Sequence, residues 1–303
     1  MTSPEANDTQ APPTTTTAAP VAPDAGTAPL VLQKPHTLCI DVGGTGIKAV
    51  VLDAHGKMVS ERQRIETPRP ATPDAIVAVI TGLVKAAPEF DRVSVGFPGV
   101  VKKNVVHTAP NLDGQWGGYA LGAAIEKLCQ KPTRVLNDAG VQGYGVIKGE
   151  GTEMILTLGT GMGCALFVNG TYVPNLELAH HPLRKGKTYE ETINNATLLD
   201  TGRKRWNKRL RRIINQVLPI FNPDVLYLGG GNSRQIRGKL PAEVKIVDNM
   251  AGLLGGIALW RFGAKQAPET TPSTDPRVLD NPMAADSSAP TSGPSPQSGQ
   301  NRL

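Results

Sequence analysis

Apolar residues along this chain fall in short runs of strand length cut by glycine-rich turns, with longer stretches of helical spacing between them. Thr37–Ile40 is apolar, Val50-Val51-Leu52 resumes a β-branched pattern, and Asp41-Val-Gly-Gly-Thr-Gly46 lies between. That predicts strand, tight turn, strand: a hairpin whose tip has almost no side chains. His55-Gly56 marks a second turn, and Met58 to Ile65 continues as strand. Residues 73–87 alternate at helical spacing behind Pro73-Asp74, and Pro88 ends that helix. Arg92 to Gly99 is a buried strand entering a Gly/Pro turn, and 119–130 is the next helix.

The second half repeats the opening. Arg134 to Asp138 is a short strand ending in an amide–carboxylate pair, followed by a helix of small residues. Met154–Leu158 and Cys164–Val168 are strands flanking Gly159-Thr-Gly-Met-Gly163, and Asn169-Gly170 is a hairpin turn. Residues 202–218 form a helix with an apolar stripe at Trp206, Leu210, Ile213, Ile214 and Val217. Asp224–Leu228 and Lys245–Asp248 are strands, the first running into Gly229-Gly-Gly231, and 251–262 is an apolar helix. Strands interleaved with helices predict an α/β protein with mixed sheets. Two matched glycine hairpins predict two units of like topology facing across a cleft.

A turn without side chains lets backbone N–H groups approach phosphate oxygens closely. Asp41 stands where a carboxylate can order hydrated Mg²⁺ beside them. The first turn leads into a strand, which argues against a dinucleotide-binding βαβ unit, and GxxxxGK[ST] is absent. A carboxylate at the junction of strand and helix, Asp138, suits general-base work, while the commoner use of Asn137-Asp138 is to cap the helix; the two uses are compatible. The loop His107–Trp116 offers short polar side chains and one aromatic, which fits a sugar site or an ordinary connector. Glu177 and His180, three apart, share a face. No further Cys or His stands at zinc-ligand spacing, so hydroxyl recognition is the better expectation, without zinc.

Charge sharpens this. Residues 1–30 and 266–303 are rich in Ala, Pro, Ser and Thr and predict disordered tails. Seven of the 26 acidic and two of the 32 basic residues lie there, leaving 19 against 30, a formal +11 for the body. Such a body predicts a polyanionic partner. The seven Lys/Arg between 203 and 212 have no acid among them, yet no helix-turn-helix or RNP signature accompanies them, so nucleic acid is disfavoured. The first 30 residues lack a basic start and an apolar core, so no signal peptide is expected, and no apolar run is long enough for a membrane span. Three widely spaced cysteines, Cys39, Cys129 and Cys164, suggest reduced core thiols and a cytoplasmic setting.

Taken in order, Asp41-Val-Gly-Gly-Thr45, Asn111-Leu-Asp-Gly-Gln-Trp116, Leu136-Asn-Asp138, Leu158-Gly-Thr-Gly161, Glu177-Leu-Ala-His180, Gly229-Gly-Gly231 and Asn249-Met-Ala-Gly-Leu-Leu-Gly255 resemble the ROK-type sugar kinases. Within that family residues 36–265 are most similar to the polyphosphate glucokinases. The resemblance implies an actin-like ATPase (ribonuclease H-like) fold. One lobe would be 36–136, completed by helix 251–265; the other would be 137–250; 1–35 and 266–303 would be tails. It implies phosphoryl transfer from polyphosphate or ATP to the 6-hydroxyl of glucose, with Mg²⁺, in a homodimer. Asp138 would be the base, and Asn111, Asn137, Glu177, His180 and Glu190 would bind the sugar. Asp41 (through Mg²⁺), Gly43, Gly44, Thr45, Lys48, Thr160 and Gly161 would hold donor phosphates. Gly229 and Gly230 would line the phosphate-chain side. Glu-Leu-Ala-His replaces the family's usual Glu-Leu-Gly-His, and the Cys-rich zinc motif of many members is missing. An ATP-dependent kinase for another hexose, and a non-catalytic sugar sensor or nucleic-acid-binding relative, remain alternatives.

Overall fold

The computed structural model describes residues 33–248 and 251–262. The expected tails, Asn249-Met250 and the last three residues of helix 251–265 lie outside the described residues, apart from the segment from Gln33 onward. The first half runs β1 (Thr37–Val42), β2 (Ile47–Leu52), β3 (Gln63–Ile65), α1 (Pro73–Ala86), β4 (Arg92–Phe97), a small hairpin of β5 (Val101–Lys102) and β6 (Val105–Val106), α2 (Leu121–Cys129) and β7 (Thr133–Asn137). After α3 (Asp138–Tyr144) come β8 (Thr152–Leu158), β9 (Met162–Val168), β10 (Thr171–Val173), a second small hairpin of β11 (Pro182–Arg184) and β12 (Lys187–Thr188), α4 (Tyr189–Ile193), α5 (Asn195–Phe221), β13 (Val225–Gly229), β14 (Val244–Ile246) and α6 (Ala251–Phe262).

The strands make two five-stranded sheets, ordered β3-β2-β1-β4-β7 and β10-β9-β8-β13-β14. In each, a central strand pairs antiparallel with the next strand in sequence and parallel with a strand reached by crossover. The two α/β units expected from the glycine hairpins are therefore present, and their topology is duplicated strand for strand.

Local chemistry explains the helices. Thr72 caps α1 by accepting from the Ala75 N–H at 3.3 Å, Pro73 follows, and Ile76, Ile80 and Leu83 turn inward at helical spacing. In α5 the stripe Trp206, Leu210, Ile213, Ile214, Val217 is buried. The Trp206 indole N–H donates to the Ile193 carbonyl at 2.7 Å, so truncating it to Ala would cost about 3–5 kcal/mol.

Some expectations are corrected. The helix expected at 202–218 begins at Asn195, because Asn194 caps it by accepting from the Thr197 N–H, and it breaks at Gly202 (φ 75°). Met58 to Ile65 is not one strand. Met58 touches Leu52 through a single bridge, Ser60 Oγ occupies the Val51 N–H, and pairing resumes at Gln63. Trp116 belongs to the first core, donating to the Ala71 and Asp113 carbonyls.

Helix α3 lies between the two sheets. Leu136, Ala139, Val141, Tyr144, Ile155, Phe167, Tyr172 and Leu259 form one core drawn from both halves and α6. α6 is tied to the first sheet: Ser94 Oγ donates to the Gly256 carbonyl, Arg134 donates to the Leu259 carbonyl and the Trp260 indole donates to Ser94 Oγ. This packing fixes Asp138, the first residue of α3, between the two halves.

Candidate functional site

A cavity of about 750 Å³ opens between the sheets. It is lined from one side by Asp41, Gly43, Gly44, Thr45 and Lys48 and from the other by Thr160 and Gly161, with Asn137 and Asp138 between them. Asn111, Glu177, His180, Glu190 and Gly230 also line it. Of the residues given a site role by the resemblance, Gly229 alone does not. It ends β13, buried, and a side chain there would meet Val247 and Ile155.

The first turn is tight, with the Gly43 N–H donating to the Gly46 carbonyl at 3.1 Å. Asp41 and Lys48 face each other across the β1–β2 ladder, and Lys48 Nζ lies 2.9 Å from Asp41 Oδ2. Residues that sequence reasoning missed brace this turn, and one of them, Arg69, also lines the cavity. Thr67 donates to the Gly43 carbonyl, Arg69 to the Gly44 carbonyl and Arg64 to the Thr45 carbonyl. These donors occupy the Gly43, Gly44 and Thr45 carbonyls, so those backbone oxygens are not left to repel an anion in the cavity. The signal was the run Arg62, Arg64, Arg69 behind the first hairpin, whose partners only the fold reveals.

The second turn closes with the Gly159 N–H donating to the Gly161 carbonyl at 2.9 Å. Glu190 Oε2 accepts from the Met162 N–H at 3.0 Å and packs against Gly161, leaving no room for a side chain there. Asn195 and Asn232, also missed, both donate to the Gly159 carbonyl. Gly230 takes φ +84° against the Leu158 backbone, a geometry and a closeness that favour glycine.

At the floor, Asn137 Oδ1 caps α3 by accepting from the Ala139 and Gly140 N–H groups, and its amide donates to the Gly99 carbonyl at 3.2 Å. Asn137 thus spends much of its capacity aiming the next residue. Burial, and then the neighbouring Asp41 charge, push the Asp138 carboxyl up to about 7. A carboxylate that holds its proton near neutrality and faces a cavity is poised to exchange one there. Glu177 and His180 approach to 3.5 Å, and burial raises the Glu177 carboxyl while His180 opposes the shift. Cys39 and Cys164 line the wall as inert thiols, pushed up to about 12 by burial.

Among the described residues no group of three or more His, Cys, Asp or Glu could hold a metal ion by itself. The half-exposed carboxylate of Asp41 beside a phosphate-type turn fits a different donor set, Mg²⁺ that keeps its waters and arrives on a phosphate. Also among the described residues, no helix is long and apolar enough to cross a membrane.

The ROK family sequence profile matches residues 37–174. A polyphosphate glucokinase of Mycobacterium tuberculosis (strain CDC 1551 / Oshkosh) is 32% identical over 77% of this chain and 94% of the relative. The crystal structure of an inorganic polyphosphate/ATP-glucomannokinase from Arthrobacter sp. strain KM superposes with a TM-score of 0.67 at 31% identity, covering 77% of this chain and all of that one. A ROK family glucokinase from Streptomyces griseus, in complex with glucose and AMPPNP, shares the fold at TM-score 0.62 and 20% identity, over 74% of this chain and 98% of that one. The chain belongs to the ROK family and has its actin-like ATPase fold.

Proposed function

We propose that this protein transfers the terminal phosphoryl group of inorganic polyphosphate, and of ATP, to the 6-hydroxyl of glucose, giving glucose 6-phosphate. The observation that carries the proposal is the Asp138 carboxyl, raised to about 7, facing one cavity with two side-chain-poor turns. The relatives named for polyphosphate and glucose support the substrate pair, and the +11 body supports a polyanionic donor.

In this mechanism Asp138 takes the proton of the sugar 6-hydroxyl as its oxygen attacks the terminal phosphorus. The bond from that phosphorus to the bridging oxygen of the penultimate phosphate breaks, and the shortened chain leaves with the negative charge. Lys48 and the N–H groups of the first turn meet that charge as it grows, which is where preorganised donors accelerate most, while the second turn holds the donor in place. Asn111, Glu177 and His180 hold sugar hydroxyls, with Asn137 and Glu190 both binding and bracing. Mg²⁺ bound with the donor beside Asp41 would neutralise phosphate charge. We infer two lobes, 36–136 with α6 and 137–248, and a cleft that closes on the sugar. Three free thiols support a reducing, cytoplasmic setting, and the assembly proposed is a homodimer, which light scattering would measure.

A glucose 6-phosphate dehydrogenase-coupled assay tests the reaction of glucose with long-chain polyphosphate, tripolyphosphate and ATP, and transfer to mannose is read in the same assay with phosphomannose isomerase and phosphoglucose isomerase added. Turnover of glucose with polyphosphate is expected. Turnover with ATP alone, or of another hexose but not glucose, would overturn the assignment.

A further inference from the structure

The seven Lys/Arg of α5 between 203 and 212 are exposed, apart from the half-buried Arg209, and so are Arg234, Arg237 and Lys239. Among the described residues none of these ten has a carboxylate within 4.0 Å. Uncompensated like charges on one helix repel one another, so a polyanion is the natural complement.

Their position relative to the cavity is specific. α5 starts at the cavity wall, where Asn195 lines it and donates its N–H to the Gly159 carbonyl at 2.9 Å. The 3-10 turn Gly231–Gln235 starts at the same wall, with Gly231 and Asn232 in the lining. It then runs onto one side of α5. Asn207 donates to the Gln235 carbonyl at 2.9 Å and accepts from the Arg237 N–H at 2.8 Å, and Arg211 donates to the Arg237 carbonyl at 2.8 Å. Arg203 and Lys204, four and three residues before Asn207, stand on that same side. Arg205, Arg209 and Arg212 fall on the opposite flank.

We propose that the distal part of a polyphosphate chain leaves the cavity past Gly231-Asn232 and lies in the seam between this turn and α5, held by Arg203, Lys204, Arg211, Arg234 and Arg237. The inference rests on the donor proposed above. From Arg203 to Arg211 the seam is about 12 Å long, so only a donor long enough to extend beyond the cavity can occupy its length. Arg211 and Arg237 each have guanidinium donors left over after their carbonyl contacts, since the group carries five.

The test compares two triple variants of equal charge change in the full chain, Arg203→Gln/Lys204→Gln/Arg234→Gln and Arg205→Gln/Arg209→Gln/Arg212→Gln. The readout is the ratio of kcat/KM for long-chain polyphosphate to that for tripolyphosphate, which general loss of folding leaves unmoved because it lowers both. The seam-side triple is expected to cut the ratio at least tenfold and the far-side triple less than threefold. Equal losses would mean diffuse attraction and overturn the track, as would no loss in either. Wild type that uses ATP but no polyphosphate of any length sinks the donor proposal itself, before any variant is made. Tighter binding of a single-stranded oligonucleotide than of long-chain polyphosphate, weakened by the seam-side triple, would reassign the seam to nucleic acid.

Discussion

The turn at Gly43–Gly46 and the turn at Gly159–Gly163 join equivalent strands of two sheets with one topology, yet they are equipped differently. The first carries charge. Asp41 and Lys48 pair across its mouth, and Arg64 and Arg69 hold its carbonyls. The second has no charged residue between its strands, and what holds it is an amide or carboxylate from elsewhere: Asn195, Asn232 and Glu190. The duplicated backbone thus supplies the same cradle twice, and divergence of side chains divides the work. In the reaction proposed above, charged groups near the first turn would act on the phosphoryl group in flight, and the second turn would position the donor. Variants on the first side should change kcat, and variants on the second should change the donor KM.

The largest effect is expected where the two sides meet. Asp138→Asn should lower kcat about 10³-fold while glucose binding, measured by calorimetry, stays near wild type. The wild-type profile should rise with pH through about 7, since the carboxyl must lose its proton to act as base. Linkage gives a second readout. A carboxyl whose folded pKa is raised lets the folded state hold a proton that the unfolded chain, near 4, releases, so stability is lost as pH rises from about 4 to 7. Asp138→Asn lacks that loss and should melt higher than wild type at pH 8, the difference vanishing near pH 4. Equal melting at both would place Asp138 outside the coupling.

Next in size is Lys48→Met, which removes the cation paired with Asp41 at the first turn and leaves that carboxylate without its partner. A fall of about 10²-fold in kcat is expected, with sugar KM within threefold. A rise in donor KM alone would erase the distinction between the two turns.

On the other side, Gly161→Ala must displace the Glu190 carboxylate and release the Met162 N–H. Losing that charge-assisted bond should raise the donor KM about tenfold at nearly constant kcat. A proportionate loss in kcat would mean that the second turn also takes part in the transition state.

Much of this contrast was legible in the sequence, and what was not follows a physical rule. The glycine turns, Asp41 and Asp138 could be found because each depends on neighbours close in sequence: a strand, a turn, a cap. The pairing of Lys48 with Asp41 follows from hairpin register. Arg64, Arg69, Asn195 and Asn232 escaped notice because their contacts run to carbonyls 19, 25, 36 and 73 residues away, which local patterning does not encode. Gly229 misled for the opposite reason. In a run of three glycines the sequence does not say where the strand stops; it takes in Gly229, and the cavity lining begins only at Gly230. Trp116, an aromatic in a polar loop, was claimed by the core because its indole N–H finds two carbonyls there.

The smallest effect should come from Arg69→Gln. Arg69 donates to the Gly44 carbonyl at 2.9 Å and lies 3.5 Å from Asp113, but both side chains are at least half exposed, at 63% and 50%. An exposed pair of this kind contributes about 0–1 kcal/mol, and glutamine keeps an amide that can still reach the carbonyl. Less than a threefold change in kcat/KM is therefore expected with either donor, and a melting temperature within a few degrees of wild type. The variant nonetheless decides how far the first turn's charge extends. If Arg69 only steadies the turn, kcat should fall slightly and equally for ATP and polyphosphate. A selective rise in the polyphosphate KM would instead make Arg69 a donor ligand, so that the first turn, like the second, would help position the chain as well as neutralise it.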